Sequence, residues 1–168
     1  MAKTATYSLI NSQTLGSNQA TVTFSSIPAT FTDLRLVVQF TVASGSNNQM
    51  LIRFNSDTAT NYSRTYLSGD GTSAASGRQT SEPAAYVTYA SNNTQITTAT
   101  IDIMDYANTT TFKTALSRSS NTTQTEARVY LWRKTPEAIN RIDIEVYLSS
   151  LFATGSTFKL YGIQAGNA

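Results

Sequence analysis

Two pairs of carboxylates stand close enough along the chain to act together, Asp102 with Asp105 and Asp143 with Glu145. Hydrolysis of a glycosidic bond needs two such groups facing each other across a sugar-sized gap. Asp143 and Glu145 alternate with Arg141, however, which places all three on one face of a strand and reads as a salt-bridged, solvated face. Asp102 and Asp105 fall at the end of a strand, where aspartate is a common turn former. The chain contains no histidine and no cysteine. It therefore has no imidazole to act as a base or metal ligand near neutral pH and no thiolate nucleophile. A serine–histidine triad and any zinc site built on His or Cys are excluded. The expectation is a protein that is not an enzyme, with no catalytic residue and no cofactor.

The segment Asn55-Ser56-Asp57-Thr58-Ala59-Thr60-Asn61 is the best place for a calcium ion, because it gathers oxygen-bearing side chains. It has a single carboxylate and no glycine at a sharp ligand turn, so Asx and Ser/Thr turns account for it and no metal is expected. Asn61-Tyr62-Ser63, Asn92-Asn93-Thr94, Asn108-Thr109-Thr110 and Asn121-Thr122-Thr123 match the glycosylation acceptor pattern, as chance allows in a chain this rich in those residues. The basic residues are scattered singly apart from Arg133-Lys134, which argues against a nucleic-acid-binding stripe.

The aromatic residues carry the remaining candidates. Tyr62 and Tyr66 share one face of an expected strand, and Tyr130 and Trp132 share the polar-side face of another. With Arg64 and Arg128 they form a candidate interface, since aromatics and arginine are enriched where proteins meet. The same rings could stack on a sugar or be covered by neighbouring loops.

The elements that position these residues follow a period of two. Leu34–Val42 places Leu34, Leu36, Val38, Phe40 and Val42 on one face, and Arg141–Leu148 places Ile142, Ile144, Val146 and Leu148 on one face. Similar alternation runs through residues 20–24, 50–54, 99–103, 126–132 and 157–163, with weaker strands at 6–10, 62–67, 84–89 and 111–118. Only Pro136-Glu137-Ala138-Ile139, with Thr135 as N-cap, suggests a helical turn. Ser68–Gly77 reads as a surface loop and Ser44-Gly45-Ser46-Asn47-Asn48 as a tight turn. These elements predict an all-β protein: an antiparallel β-sandwich of about ten strands, of jelly-roll or other Greek-key topology, with no substantial helix.

Composition agrees with a polar scaffold. Ser, Thr, Asn and Gln make up about two residues in five, and only 13% are charged, with a net charge of +2. The 168 residues suffice for one core, so residues 6–168 are expected to form a single domain preceded by a short arm, residues 1–5. No apolar run approaches the length of a membrane span, and the N-terminus lacks the apolar stretch of a secretory signal. The chain is expected to be made in a host cytoplasm and to leave, if at all, by lysis or by assembly into a particle.

Three stretches carry a resemblance: Phe24–Leu36 with its Ile27-Pro28 bend, Ile52–Ser63 with Arg53-Phe54-Asn55 and Asn61-Tyr62-Ser63, and the closing Phe158-Lys159-Leu160-Tyr161-Gly162-Ile163. Together they resemble small β-sandwich modules of tailed-phage virions, which occur as head decoration (cement) proteins and as fibre or appendage domains. Each motif also has a scaffold role. Proline fixes a bend before a core strand, Arg53 could hold the next loop by pairing with Asp57, and Gly162 marks a bulge or a close backbone approach.

The resemblance implies a structural virion protein, in the first instance a decoration protein stabilising the outer surface of a phage head. Its partners would be the major capsid protein and copies of itself, expected as a homotrimer. Residues 1–5 and Ser68–Gly77 are the expected contacts with capsid or neighbours. The alternative is a receptor- or carbohydrate-binding module of a tail fibre or appendage, with a glycan as ligand. Neither nucleic acid nor membrane is expected as a partner.

Overall fold

The computed structural model describes residues 6–44, 46–92 and 95–164. The expected arm at residues 1–5, Gly45 of the expected tight turn, and Asn93 and Thr94 of one acceptor pattern lie outside the described residues. Twelve strands are formed: β1 (Tyr7–Thr14), β2 (Thr21–Phe24), β3 (Asp33–Phe40), β4 (Ser46–Phe54), β5 (Tyr62–Gly69), β6 (Ala74–Glu82), β7 (Ala85–Asn92), β8 (Thr97–Met104), β9 (Lys113–Ser120), β10 (Thr125–Trp132), β11 (Ile142–Val146) and β12 (Thr157–Ile163).

The strands make an antiparallel β-sandwich. One sheet has eight strands in the order β1-β12-β3-β8-β9-β10-β5-β6, and the other has four in the order β2-β11-β4-β7. Only β5–β6 and β8–β9–β10 join sequence neighbours within a sheet; the other connections cross between layers, as in Greek-key sandwiches.

Period-two alternation explains the core. Leu34, Leu36, Val38 and Phe40 of β3 are buried, while Val37 and Gln39 face solvent. Phe158 and Leu160 of β12 and Ile101 and Ile103 of β8 join them, and Val22, Ile52, Ile142 and Ile144 close the cluster from the smaller sheet. Each such side chain contributes about 1.5–3 kcal/mol of burial. Phe40, Phe152 and Phe158 meet edge-to-face at one end. Phe54, Tyr62 and Trp132 cluster at the other.

Four expectations are corrected. Ser68–Gly77 is not a free loop, because β5 runs to Gly69 and β6 begins at Ala74, pairing from Gly69↔Ala74 to Tyr62↔Glu82. The turn between them is closed by the Asp70 carboxylate, which accepts hydrogen bonds from the amides of Thr72 (2.8 Å) and Ser73 (2.6 Å), with Gly71 at φ 86°. This strand has almost no buried face, so it lacks the apolar alternation that marked the others. At Ser44–Asn48, β4 already begins at Ser46, and Asn48 is buried, donating to the Ser44 carbonyl. Pro136–Ile139 forms no helical turn; the Ile139 amide donates to the Tyr106 carbonyl and its side chain is buried. Finally, β11 ends at Val146, and Tyr147–Ser149 form a single 3-10 turn with Leu148 at φ 62°.

Gly162 proves to be a close approach. A Cβ there would stand 2.3 Å from carbons of the Phe31 ring, which packs against this backbone. The Ile27-Pro28 bend is held by Tyr106, whose hydroxyl donates to the Pro28 carbonyl and accepts from the Phe31 amide.

Candidate functional site

The residues first suspected of chemistry are tied into the scaffold. Asp102 accepts from Arg35 Nε at 2.5 Å, and Arg118 Nη2 lies 3.6 Å from its other oxygen. The Asp105 amide donates to Asp33, and its carbonyl accepts from the Asn108 amide. Asp143 is buried, with Arg141, Thr23 (2.7 Å) and Ser56 (2.9 Å) donating to it. Burial pushes its carboxyl up, but these donors outweigh that and hold it below the usual carboxylate range. Glu145 pairs with Arg53 rather than sharing the Arg141–Asp143 pair. The expected Arg53–Asp57 pairing is therefore replaced, because Asp57 accepts from Trp132 Nε1 (2.7 Å), Asn61 Nδ2 (2.9 Å) and the Ala59 amide (3.0 Å).

The 55–61 segment offers no ion cage. Asn55 Oδ1 accepts from the amides of Asn140 and Arg141, and its Nδ2 donates to Glu137 and the Ala138 carbonyl. Among the described residues no group of three or more His, Cys, Asp or Glu could hold a metal.

The candidate interface is placed indoors. Tyr62, Tyr130 and Trp132 are almost wholly buried, on the inward faces of β5 and β10. As exposed surface, Tyr62, Arg128, Tyr130 and Trp132 are therefore corrected by the fold, whereas Arg64 and Tyr66 are half-buried. The even-numbered residues of β10 (Glu126, Arg128, Tyr130 and Trp132) point inward, and Ala127, Val129 and Leu131 point outward. Arg128 is buried with Glu126, its Nε 2.6 Å from the Glu126 carboxylate, and its Nη1 donates to the Tyr86 carbonyl at 2.7 Å. The Tyr89 amide donates to Glu126 at 2.8 Å. Arg64 reaches Glu82 at 3.3 Å and stacks 5.2 Å above the Tyr86 ring, while Tyr66 lies between the two guanidinium groups.

Arg64, Tyr66, Glu126 and Arg128 line a cleft of about 240 Å³ between the sheets, with Glu82 beside it on Arg64. Burial pushes the Glu82 carboxyl up, with Arg64 and Arg128 pulling it back. Arg64 and Arg128 are matched by Glu82 and Glu126, so the cleft holds no excess charge to draw a ligand.

The outer face of the eight-stranded sheet offers an open site instead. A groove of about 620 Å³ crosses β3, β8, β9, β10 and β5. Strand register builds it in rows. Val37 pairs with Thr100, Thr100 with Arg118, Arg118 with Ala127, and Ala127 with Leu67. One row further on, Gln39, Thr98, Ser120, Thr125 and Gly69 succeed one another in the same way. Thr98 Oγ1 and Ser120 Oγ are 3.3 Å apart and share a hydrogen bond.

The floor is aliphatic where Val37, Ala127 and Leu67 line it; Leu67 is 64% exposed. The polar groups around it are hydroxyls, the Gln39 amide and the Arg118 guanidinium, whose side chain is 60% exposed. Asp102 holds Arg35, whose hydrogen bond to that carboxylate keeps the guanidinium still more firmly protonated. Asp102 touches Arg118 only at the limit of an ion pair, which leaves most of that guanidinium facing solvent.

Sequence reasoning missed this groove. Leu116 and Arg118 alternate with Ala115, Ser117 and Ser119, and the smaller residues face the core. The signal was present in β9, where beyond Lys113 only the outward face offers side chains of any reach.

No family model and no curated protein matches the chain. Among solved structures it is similar to a galectin from Caenorhabditis elegans, LEC-6, at 12% identity and TM-score 0.40, covering 92% of this chain and 96% of that one. It is also similar to a protein of unknown function from Shewanella oneidensis at 12% identity and TM-score 0.26, covering 99% and 80%. A third is the CBM2 module of the evolved Dit of Lactobacillus casei phage J-1, at 8% identity and TM-score 0.25, covering 97% and 82%.

Proposed function

We propose that this chain is a non-catalytic recognition module that binds a glycan in the groove on the outer face of its eight-stranded sheet. The observation that carries the reading is the groove's lining: hydroxyls and a carboxamide from Gln39, Thr98, Thr100, Ser120 and Thr125 around an aliphatic floor. Sugars present both faces of that chemistry, hydroxyls for hydrogen bonding and C–H surfaces for apolar contact. A concave site with a few placed polar groups is the usual form of such recognition. The resemblance of three sequence stretches to tailed-phage virion modules supports a place on a phage particle, where this module would serve attachment.

A second reading rests on a different observation. Leu116 and Val129 are directly paired on the same face and exposed, Val129 by 47%, beside the exposed Leu67. Apolar side chains gathered on an open sheet suit contact with another protein. They support the decoration reading, in which trimers of this chain cover the outer surface of a phage head against the major capsid protein.

One experiment separates the two. Ala127→Trp fills the middle of the groove from an outward position, without entering the core. Binding of the full chain to a panel of immobilised polysaccharides is expected, and the substitution should abolish it while the far-ultraviolet dichroism is unchanged. Absence of polysaccharide binding, together with saturable binding to phage heads stripped of their decoration, would replace the glycan reading with the capsid one.

A further inference from the structure

Resting on the glycan reading, we infer that the groove selects acidic glycans, with Arg118 as the residue that reads the negative charge. The register places basic side chains at regular intervals across the outer face. Lys159 on β12 lies in the same row as Arg118, through Val37 and Thr100. On the far side, Arg78 on β6 pairs with Thr65 of β5, which pairs with Val129 of β10, one row from Arg118. In the sheet order, β12, β9 and β6 are each three strands apart. At about 4.8 Å between strands, the strands bearing these cations stand about 14 Å apart in succession.

A chain laid across the strands through the groove therefore meets Lys159, Arg118 and Arg78 in turn. Asp33 and Asp102 are carboxylates on the same face, and Asp102 is already bound to Arg35. The balance of charge along this path is positive, and its central cation is exposed. Guanidinium binds carboxylate and sulfate through paired N–H donors, so uronate-bearing and sulfated polysaccharides share the required chemistry.

Single-stranded nucleic acid is also a polyanion, but it is bound by exposed aromatic rings on which bases stack. Among the described residues no aromatic side chain lines the groove. Hydroxyl and amide groups line it instead, which favours a saccharide.

The test uses the full chain and four probes: dextran, alginate, dextran sulfate and oligo-dT. Alginate or dextran sulfate should bind at least about tenfold more tightly than dextran, with affinity falling as salt is raised. The alginate and dextran sulfate arms show whether carboxylate or sulfate is preferred. Arg118→Gln should remove most of the tenfold preference, weakening the acidic polymers far more than dextran; Arg118→Lys should retain part of it. Lys159→Gln and Arg78→Gln should each weaken acidic binding by a smaller factor.

Equal binding of dextran and the acidic polymers, unaltered by Arg118→Gln, would overturn the acidic selectivity while leaving the glycan site standing. Failure of all three polysaccharides would overturn both. Tighter binding of oligo-dT than of either acidic polysaccharide would overturn the inference in favour of nucleic acid.

Discussion

Asp143 shows how a polar residue earns its place inside this sandwich. It sits on a strand buried on both faces, yet its carboxylate meets donors on several sides: Arg141 just before its own strand, Thr23 from β2 and Ser56 from the turn after β4. Because its folded-state pKa lies below the unfolded value, its contribution to stability is present above about pH 4 and is lost as pH falls through the folded-state value. Asp143→Asn should cost about 2 kcal/mol at pH 7. It should also flatten the loss of stability below pH 4 in urea-unfolding midpoints; a profile parallel to that of the parent would assign the acid sensitivity elsewhere. Trp132 and Asp57 repeat the pattern, an indole N–H meeting a carboxylate at the rim of the core. Asn108 and Asn121 do so in turns, each Oδ1 accepting from the amides two and three residues on. Much of the Asn, Asp and Thr content therefore serves turns and internal bonds.

At the scale of elements, alternation made β3, β11 and β12 readable, because one face of each is plainly aliphatic. It misled in β10, where one face carries Glu126, Arg128, Tyr130 and Trp132 and the other Ala127, Val129 and Leu131. The aliphatic face points to solvent there, because Trp132 and Tyr130 bury more surface and the charges find partners on β7. β6 was invisible for the opposite reason: it is held by backbone pairing to β5 and buries almost nothing. Its Gly77 admits the Tyr66 ring, which approaches within 2.8 Å of where a Cβ would stand. Gly162 has the same relation to Phe31. Gly162→Ala should destabilise by about 2 kcal/mol through overpacking. The double substitution Phe31→Ala/Gly162→Ala should cost clearly less than the two singles together, and simple additivity would deny the contact its role.

At the scale of the molecule, one hydrophobic cluster draws on both sheets, from Leu15 near the N-terminal strand to Leu160 in the last. Such a core should unfold as one unit. Trp132, the only tryptophan, reports on it from within. Its fluorescence and the far-ultraviolet dichroism should lose their native signals at the same urea concentration; separated transitions would show that the sandwich is divided. The outer face of the larger sheet lies apart from this core, which leaves it free to carry a ligand surface without strain on the fold.

The residues by themselves determined the class of fold and the chemistry that is missing. Strand periodicity is a local property, and the lack of imidazole and thiol is a property of composition. Which face of β10 turns inward, that β6 exists, and that Val37, Thr100, Arg118, Ala127 and Leu67 stand in one row were decided by tertiary structure alone. The reason is physical. Alternation shows that two faces differ, but burial of a polar face depends on partners from distant strands, and a groove exists only where register aligns residues that the sequence keeps far apart.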